Sequence, residues 1–357
     1  MARTRGEKID GWLNLDKPAG VSSAQAVARV RRLYGAAKAG HGGTLDPLAT
    51  GVLPIALGEA TKTVAWVMDG AKAYRFAIRW GVATATDDAE GEPTATSDIR
   101  PGADAIRAAL SAFRGEIAQR PPSFSALKVG GRRAYALARA GETVDLAVRQ
   151  VRIDAISLVG TPDADHAVIE IRCGKGTYVR SLARDLAVAL GTVGHVAWLR
   201  RTLCGPFGEG DAVGLTALEA AEAPVAPAES PADGANPLSK QDNFGHRSAL
   251  LGRLRPVSTA LDDIPALALT DRQAGRLSQG LAVRLSEIVR PDPGLPDAGD
   301  PARSPMGTMS PAEDPAGPDA TVADDRDAIV RAMAGDRLVA IARIDGEVVR
   351  PVRVLNL

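Results

Sequence analysis

Apolar residues recur along this chain at two spacings, and the change from one to the other marks out most of its ordered elements. Behind Ser22-Ser23, which can cap a helix, Val27, Val30 and Leu33 stand at helical spacing and predict a helix through about Tyr34. Tyr74 to Trp80 alternates as Tyr-Arg-Phe-Ala-Ile-Arg-Trp, the two-residue period of a half-buried strand. From Asp104 to Phe113 the helical period returns, with Ile106, Leu110 and Phe113 on one face. Val151 to Val159 and Ala167 to Cys173 are β-rich runs with a Pro-Asp turn expected between them, and a helix bearing Leu182, Leu186 and Leu190 follows. Near the end, Arg337 to Ile344 and Val348 to Leu355 flank Asp345-Gly346, the turn chemistry of a hairpin. Helices and strands without regular βαβ alternation predict an α+β fold with a small β-rich C-terminal module.

Two stretches carry neither period. Residues 222–237 are rich in Pro, Ala and small polar residues. Residues 291–327 hold 8 of the 24 prolines, with 9 acids against 2 bases. Such segments bury too little apolar surface to offset the entropy of ordering them, so both read as flexible insertions. The expected organisation is a main domain over 1–218, an insertion over 219–247, and a C-terminal domain over 248–357 interrupted by 291–327.

Composition narrows the class. The 357 residues are 45% apolar and 24% charged, ordinary for a globular protein, and no apolar run is long enough to span a bilayer. Met1 to Lys8 lacks the apolar stretch of a secretory signal, so a cytoplasmic protein is expected. Cys173 and Cys204 allow at most one disulfide, and four scattered histidines (His41, His166, His195, His246) give a zinc site little material. The zero net charge hides an asymmetry: residues 1–200 carry 27 bases against 20 acids, and the remainder reverses it. Arg120, Lys128, Arg132, Arg133 and Arg139 fall within 117–140 with no acid among them, a pattern suited to a polyanion or to a plain solvated surface.

The densest stretch runs from Gly40 through Gly-His-Gly-Gly-Thr-Leu-Asp-Pro to Pro54. Its glycines allow close backbone approach to a ligand, and Pro47 biases Asp46 toward an extended backbone that can present its carboxylate. Asp46 reads either as a catalytic acid or as a simple loop acid, and His41 as a base, a stacking residue or a polar loop residue. Familiar alternatives fail. Gly174-Lys175-Gly176-Thr177 is not a phosphate loop, because Gly176 separates the lysine from the threonine and the upstream glycine is missing. No nucleophile elbow and no zinc-deaminase signature is present.

Taken together, Leu13 to Ser23, Gly40 to Leu57, Lys72 to Arg75, Thr86 to Gly91, Pro121 to Lys128, Lys175 to Arg180 and Trp198 to Arg201 resemble the bacterial tRNA pseudouridine-55 synthases, the TruB family. The motifs occur in register from about Asp10 to Gly214. The resemblance implies a catalytic domain with a mixed, largely antiparallel sheet and a small β-rich C-terminal RNA-binding domain of the PUA type. It also implies isomerisation of a T-loop uridine of tRNA without cofactor or metal: the N1–C1′ bond breaks, the base turns, and C5 joins C1′. By similarity Asp46 is the essential carboxylate, Arg180 its ion-pair partner, and Tyr74 the residue that stacks on the target base and takes part in proton removal at C5. Tyr178 and Leu199 would line the pocket, and His41 would help hold the loop once bases are extruded. Segment 117–140 would close over the RNA, with Lys128, Arg132 and Arg133 on the phosphate backbone. Lys17-Pro18 would support the active-site loop. Many relatives read Gly-His-Thr-Gly-Ala-Leu-Asp-Pro, so a threonine hydroxyl at position 42 is missing here, with Thr44 its possible replacement.

The implied partner is the tRNA T-arm, with no metal and no membrane, for an enzyme acting as a monomer. Two rivals share this surface: a guide-RNA-dependent synthase working inside a ribonucleoprotein, and a non-catalytic tRNA-binding or folding chaperone. A sugar glycosidase would want a second acid at a defined separation, and none stands out.

Overall fold

The computed structural model describes residues 6–125, 127–142, 146–222, 247–288 and 328–357; the side chains of Lys128 and Arg133 fall outside that description. So do nearly all of residues 222–237 and the whole of 291–327. The chain forms two compact units, residues 1–260 and 261–357. Residues 248–260 thus belong to the first unit, not to the C-terminal one as the composition suggested. Tyr34 Oη donates to the Leu250 carbonyl at 2.9 Å, and Trp12 and Arg255 exchange backbone hydrogen bonds.

The first unit is built on a ten-stranded sheet. Its main path runs through strands Val213–Gly214, Gly11–Lys17, Thr50–Leu57, Gly194–Cys204, Lys72–Trp80, His166–Cys173, Arg149–Asp163 and Gly115–Gln119. Only the pairings of Gly11–Lys17 with Val213–Gly214 and of Thr50–Leu57 with Gly194–Cys204 are parallel. The sheet is therefore mixed and largely antiparallel, as expected. Alternation places Leu13, Leu15, Phe76, Ile78, Ile169 and Ile171 on one face. There they pack against Val30 and Leu33 of the helix Ser23–Leu33, Ile106 of Ala103–Leu110, and Leu182 and Leu186 of Val179–Ala189. Each fully buried side chain of this size contributes about 1.5–3 kcal/mol of transfer free energy.

Local chemistry sets the element ends. Ser22 caps its helix in a capping box with Gln25. The helix from Ala103 stops at Leu110 and tightens into a 3₁₀ turn to Phe113. The strand that begins at Arg149 runs on through Pro162 to Asp163, so the turn falls at Ala164-Asp165 and not at Pro-Asp. Register shifts between Leu158 and Asp163 free Pro162 from donating to the ladder.

The second unit is a five-stranded sheet: Ala266–Ala268, Ile329–Ala334, Arg337–Asp345, Val348–Val354 and Val283–Arg284. The hairpin turns at Gly346, with φ +57°. The helix Asp271–Ser278, capped by Thr270, adds Ala274 and Leu277 to a core with Val339 and Val349. This is the small β-rich C-terminal unit that the sequence pattern expects.

Candidate active site

Asp46 sits in the loop between strands Ala39–His41 and Thr50–Leu57, which pair antiparallel so that the loop leaves and re-enters the sheet at fixed points. Both chain neighbours of Asp46 are clamped. Ser23 Oγ donates to the Leu45 carbonyl at 2.9 Å and accepts from the Leu45 amide at 2.8 Å. On the other side, the Pro47 carbonyl accepts from the Gly20 amide at 2.8 Å and from Lys17 Nζ at 3.2 Å. Lys17 is fully buried, and its ammonium also donates to the Pro18 and Val21 carbonyls at 2.8 and 2.6 Å. Burial pulls its pKa down to about 8 against the pull of Asp46 and Glu90 in the other direction.

A second buried cation secures the glycines of the loop. Arg201 donates from Nε to the Val52 carbonyl at 2.7 Å, and from its terminal nitrogens to the Gly43 and Thr44 carbonyls at 3.0 and 3.4 Å. It reaches them because its strand runs parallel beside Gly51. Gly51 has φ +96°, and a Cβ there would lie 2.2 Å from the Arg201 carbonyl oxygen, so no other residue fits.

The carboxylate thus presented meets Arg180, in the first turn of the helix Val179–Ala189. Arg180 Nε lies 3.0 Å from Asp46 Oδ2, and Nη1 lies 3.5 Å from Asp88 Oδ2. The same guanidinium donates to the Thr86 and Phe124 carbonyls, each at 2.9 Å. A 5% exposed arginine is therefore held by two carboxylates and two carbonyls, which fixes the plane of its fork. Burial raises the Asp46 pKa, the Arg180 guanidinium opposes that, and Asp88 adds to it.

Asp46 and Arg180 line a cavity of about 290 Å³ whose wall also includes Tyr74, Tyr178 and Leu199. Tyr74 comes from a central strand, cross-paired with Ile171 on one side and Arg201 on the other. Burial pushes its phenol up to about 12, and burial raises that of Tyr178 as well. A phenol held so high stays protonated near neutral pH. Tyr74 offers the resting site a flat ring and a hydroxyl, not a base.

The sequence-derived set is thus partly gathered. Asp46, Tyr74, Tyr178, Arg180 and Leu199 converge. His41 does not line the cavity; its Nδ1 accepts from the Gly43 amide at 3.3 Å, and burial lowers its pKa. Lys128 and Arg133 fall in the paired strands Lys128–Val129 and Arg132–Arg133. Arg132 is ion-paired at 2.9 Å with Glu142, an acid just beyond the basic segment. The pair is exposed, so it is weak and open to exchange for phosphate. Gly42 is tightly enclosed: a Cβ there would meet Val67 Cγ1 at 2.6 Å. Thr44, by contrast, is exposed on the cavity wall.

Sequence reasoning gave no role to Asp88, Arg201 or Lys72. Lys72 is a buried lysine whose ammonium donates to the Met68 and Gly70 carbonyls. It stands in register between the free cysteines Cys173 and Cys204. Arg201 follows Arg200, whose side chain instead makes a fork–fork pair with Asp16 at 3.0 Å for each bond. Strand alternation sends the two arginines to opposite faces, and that alternation was the available signal. Among the described residues, no group of three or more His, Cys, Asp or Glu side chains gathers as a metal ion would need. None of the helices described is long and apolar enough to cross a membrane.

The first unit thus carries a mixed sheet with an arginine-paired aspartate on a clamped loop, beside a tyrosine-walled cavity. Residues 31–179 match the TruB family pseudouridylate synthase N-terminal domain, and residues 180–262 match the tRNA pseudouridylate synthase B C-terminal domain. The chain belongs to the TruB family. It is 48% identical to the tRNA pseudouridine synthase B of Gluconacetobacter diazotrophicus over 355 residues, 99% of this chain and 100% of that protein. It is 49% identical to that of Caulobacter vibrioides, over 99% of each. Among solved structures, the archaeal box H/ACA sRNP Nop10–Cbf5 complex contains a chain of like fold. The TM-score is 0.65 at 23% identity, over 96% of this chain and 85% of that one.

Proposed function

We propose that this pseudouridine synthase acts on tRNA, isomerising the T-loop uridine at position 55, with Asp46 as the essential carboxylate. The observation that carries the reading is the Asp46–Arg180 pair at 3.0 Å in the cavity wall, with both neighbours of Asp46 clamped. The names of the relatives supply the substrate class. A uridine within a folded loop is stacked and out of reach, so it must be flipped into the cavity. Tyr74 then stacks on the base, Tyr178 and Leu199 complete the walls, and His41 holds the loop from which the base left. Lys128, Arg132 and Arg133 contact the phosphate backbone as segment 117–140 closes.

The reaction breaks N1–C1′ and forms C5–C1′, with the proton lost from C5 balanced by one gained at N1. No atom enters or leaves, so the site has only to exclude water and supply an anion. Attack of Asp46 on the sugar, attack on the base, and removal of a sugar proton all begin from the ionised carboxylate, which Arg180 favours. The test is to incubate the purified protein with an unmodified tRNA transcript and map pseudouridine. Modification confined to position 55, and absent when cytidine stands there, is expected. Modification that requires a guide RNA and partner proteins would instead favour the ribonucleoprotein reading.

A further inference from the structure

The strand Gly115–Gln119 ends at the root of the basic segment, and its last side chain is the least expected polar group near the cavity. Gln119 is 1% exposed, yet among the described residues its side chain bonds only to main chain. Both ends of its amide go to the main chain of Tyr178. Oε1 accepts from the Tyr178 amide at 2.7 Å, and Nε2 donates to the Tyr178 carbonyl at 3.1 Å. The side chain thus acts as one more rung of strand pairing, aimed at the residue that precedes the helix Val179–Ala189. That carbonyl also takes the first bond of the helix, from the Leu182 amide at 3.1 Å. Tyr178 has no side-chain cap of its own, so Gln119 supplies the constraint that a cap would give.

The contacts beyond Gln119 bind the same two elements. The Arg120 carbonyl accepts from Ser181 Oγ at 2.8 Å and from Arg184 at 3.0 Å, and the Phe124 carbonyl accepts from Arg180 at 2.9 Å. The root of the basic segment and the first turn of the helix form one hydrogen-bonded block. We propose that Gln119 is a positioning residue for the pseudouridine-forming step: it fixes the main chain of Tyr178 and thereby the reach of Arg180 to Asp46. The proposal rests on the reading that this cavity turns over the target uridine.

Two variants test it, with pseudouridine formation on the tRNA transcript as readout and the parent as control for the reading itself. A parent without activity would overturn that reading; only a difference between parent and variant bears on Gln119. Gln119→Met keeps the volume and loses both bonds. It should lower kcat by ~10–100-fold, the cost of a small misplacement, while KM stays within about threefold. Gln119→Glu keeps the acceptor but, when ionised, sets an oxygen against the Tyr178 carbonyl. A buried carboxyl has a raised pKa, and once protonated it restores the donor. The kcat ratio of Gln119→Glu to Gln119→Met should therefore climb as pH falls. The charged neighbours are Arg149 (cross-strand partner of Gln119), Arg120, Arg180 and Arg184, and the rise in the Asp46 pKa that a loosened Arg180 brings is common to the two variants, so the comparison between them isolates the group at position 119. Retention of parental kcat by Gln119→Met, a loss confined to KM, or parallel pH profiles for the two variants would overturn the proposal.

Discussion

Asp46 carries two opposed demands: burial favours its neutral form, whereas every route proposed for it starts from the anion. Its pKa lies above the ordinary 3.8, with burial the largest cause. The acid limb of kcat/KM should therefore fall at a higher pH than an exposed aspartate would give. Asp88 adds to the rise, so Asp88→Asn should move that limb toward lower pH; a limb that stayed put would mean another group controls it. The sign for stability follows. A raised folded-state pKa means a contribution that is fully present below the unfolded value and lost as pH rises through the folded one. Asp46→Asn has no charge to bury, and Arg180 keeps Asp88 and two carbonyls. The variant should melt no lower than the parent at neutral pH while turnover drops by several orders of magnitude. Its tRNA affinity should change by no more than about tenfold, since phosphate contacts supply most of it. Loss of binding together with turnover would make Asp46 a structural residue of its loop. At Tyr74, Phe should weaken turnover and Leu should weaken it much further, because the ring survives only in the first. Equal, full activity in both would make Tyr74 a core residue of its strand.

At the scale of elements, the site depends on one close approach, Gly51 against Arg201. Gly51→Ala would set a Cβ 2.2 Å from a backbone oxygen at φ +96°, which neither strand can yield without parting. A loss of ~3 kcal/mol or more is expected in chemical denaturation, with activity lost alongside. A parental midpoint would show that the parallel pair tolerates separation. This contact also marks how far the sequence could be read. Elements fixed by neighbours in the chain were legible: the Ser22 cap, the alternation of Tyr74 to Trp80, and the hairpin at Gly346. The pairing of Asp46 with Arg180 was implied by the family resemblance alone, and the two side chains lie 3.0 Å apart. Arg201 and Asp88 were not legible, because Arg201 holds carbonyls that only the sheet order brings near and Asp88 meets Arg180 from a distant loop. Lys72 was missed although its ammonium donates to carbonyls two and four residues away. Arg201 lies 149 residues from the Val52 carbonyl that it holds, and no local period records that distance. Pro162 misled in the opposite sense: proline normally ends a strand, but an irregular register let this one continue.

For the whole molecule, the remaining question is what 291–327 contributes, and the second unit supplies the argument. Its sheet is closed by residues on both sides of that stretch. Ala266–Ala268 pairs with Arg331 to Met333, Val283–Arg284 pairs with Val348 and Val349, and the Ile344 amide donates to the Ala328 carbonyl at 2.9 Å. Leu277, Val339 and Val349, from both sides of the stretch, share one core. Deleting 291–327 and joining its ends by a short Gly/Ser linker should therefore preserve folding, seen as an unchanged far-ultraviolet circular dichroism spectrum apart from the lost residues. Closing a shorter loop costs less entropy, so stability should hold or rise slightly. Pseudouridine formation should also persist, because the cavity proposed to turn over the uridine is lined by residues of the first unit. The segment carries 9 acids against 2 bases, and that charge repels phosphate. Its removal should strengthen tRNA binding by ~2–5-fold at low salt, and the gain should vanish near 0.5 M salt as screening shortens the reach of charge. A gain that survived high salt would point to relief of a steric block instead of repulsion. Loss of folding on deletion would make the segment part of the C-terminal unit's structure, against the proline and acid content that set it apart.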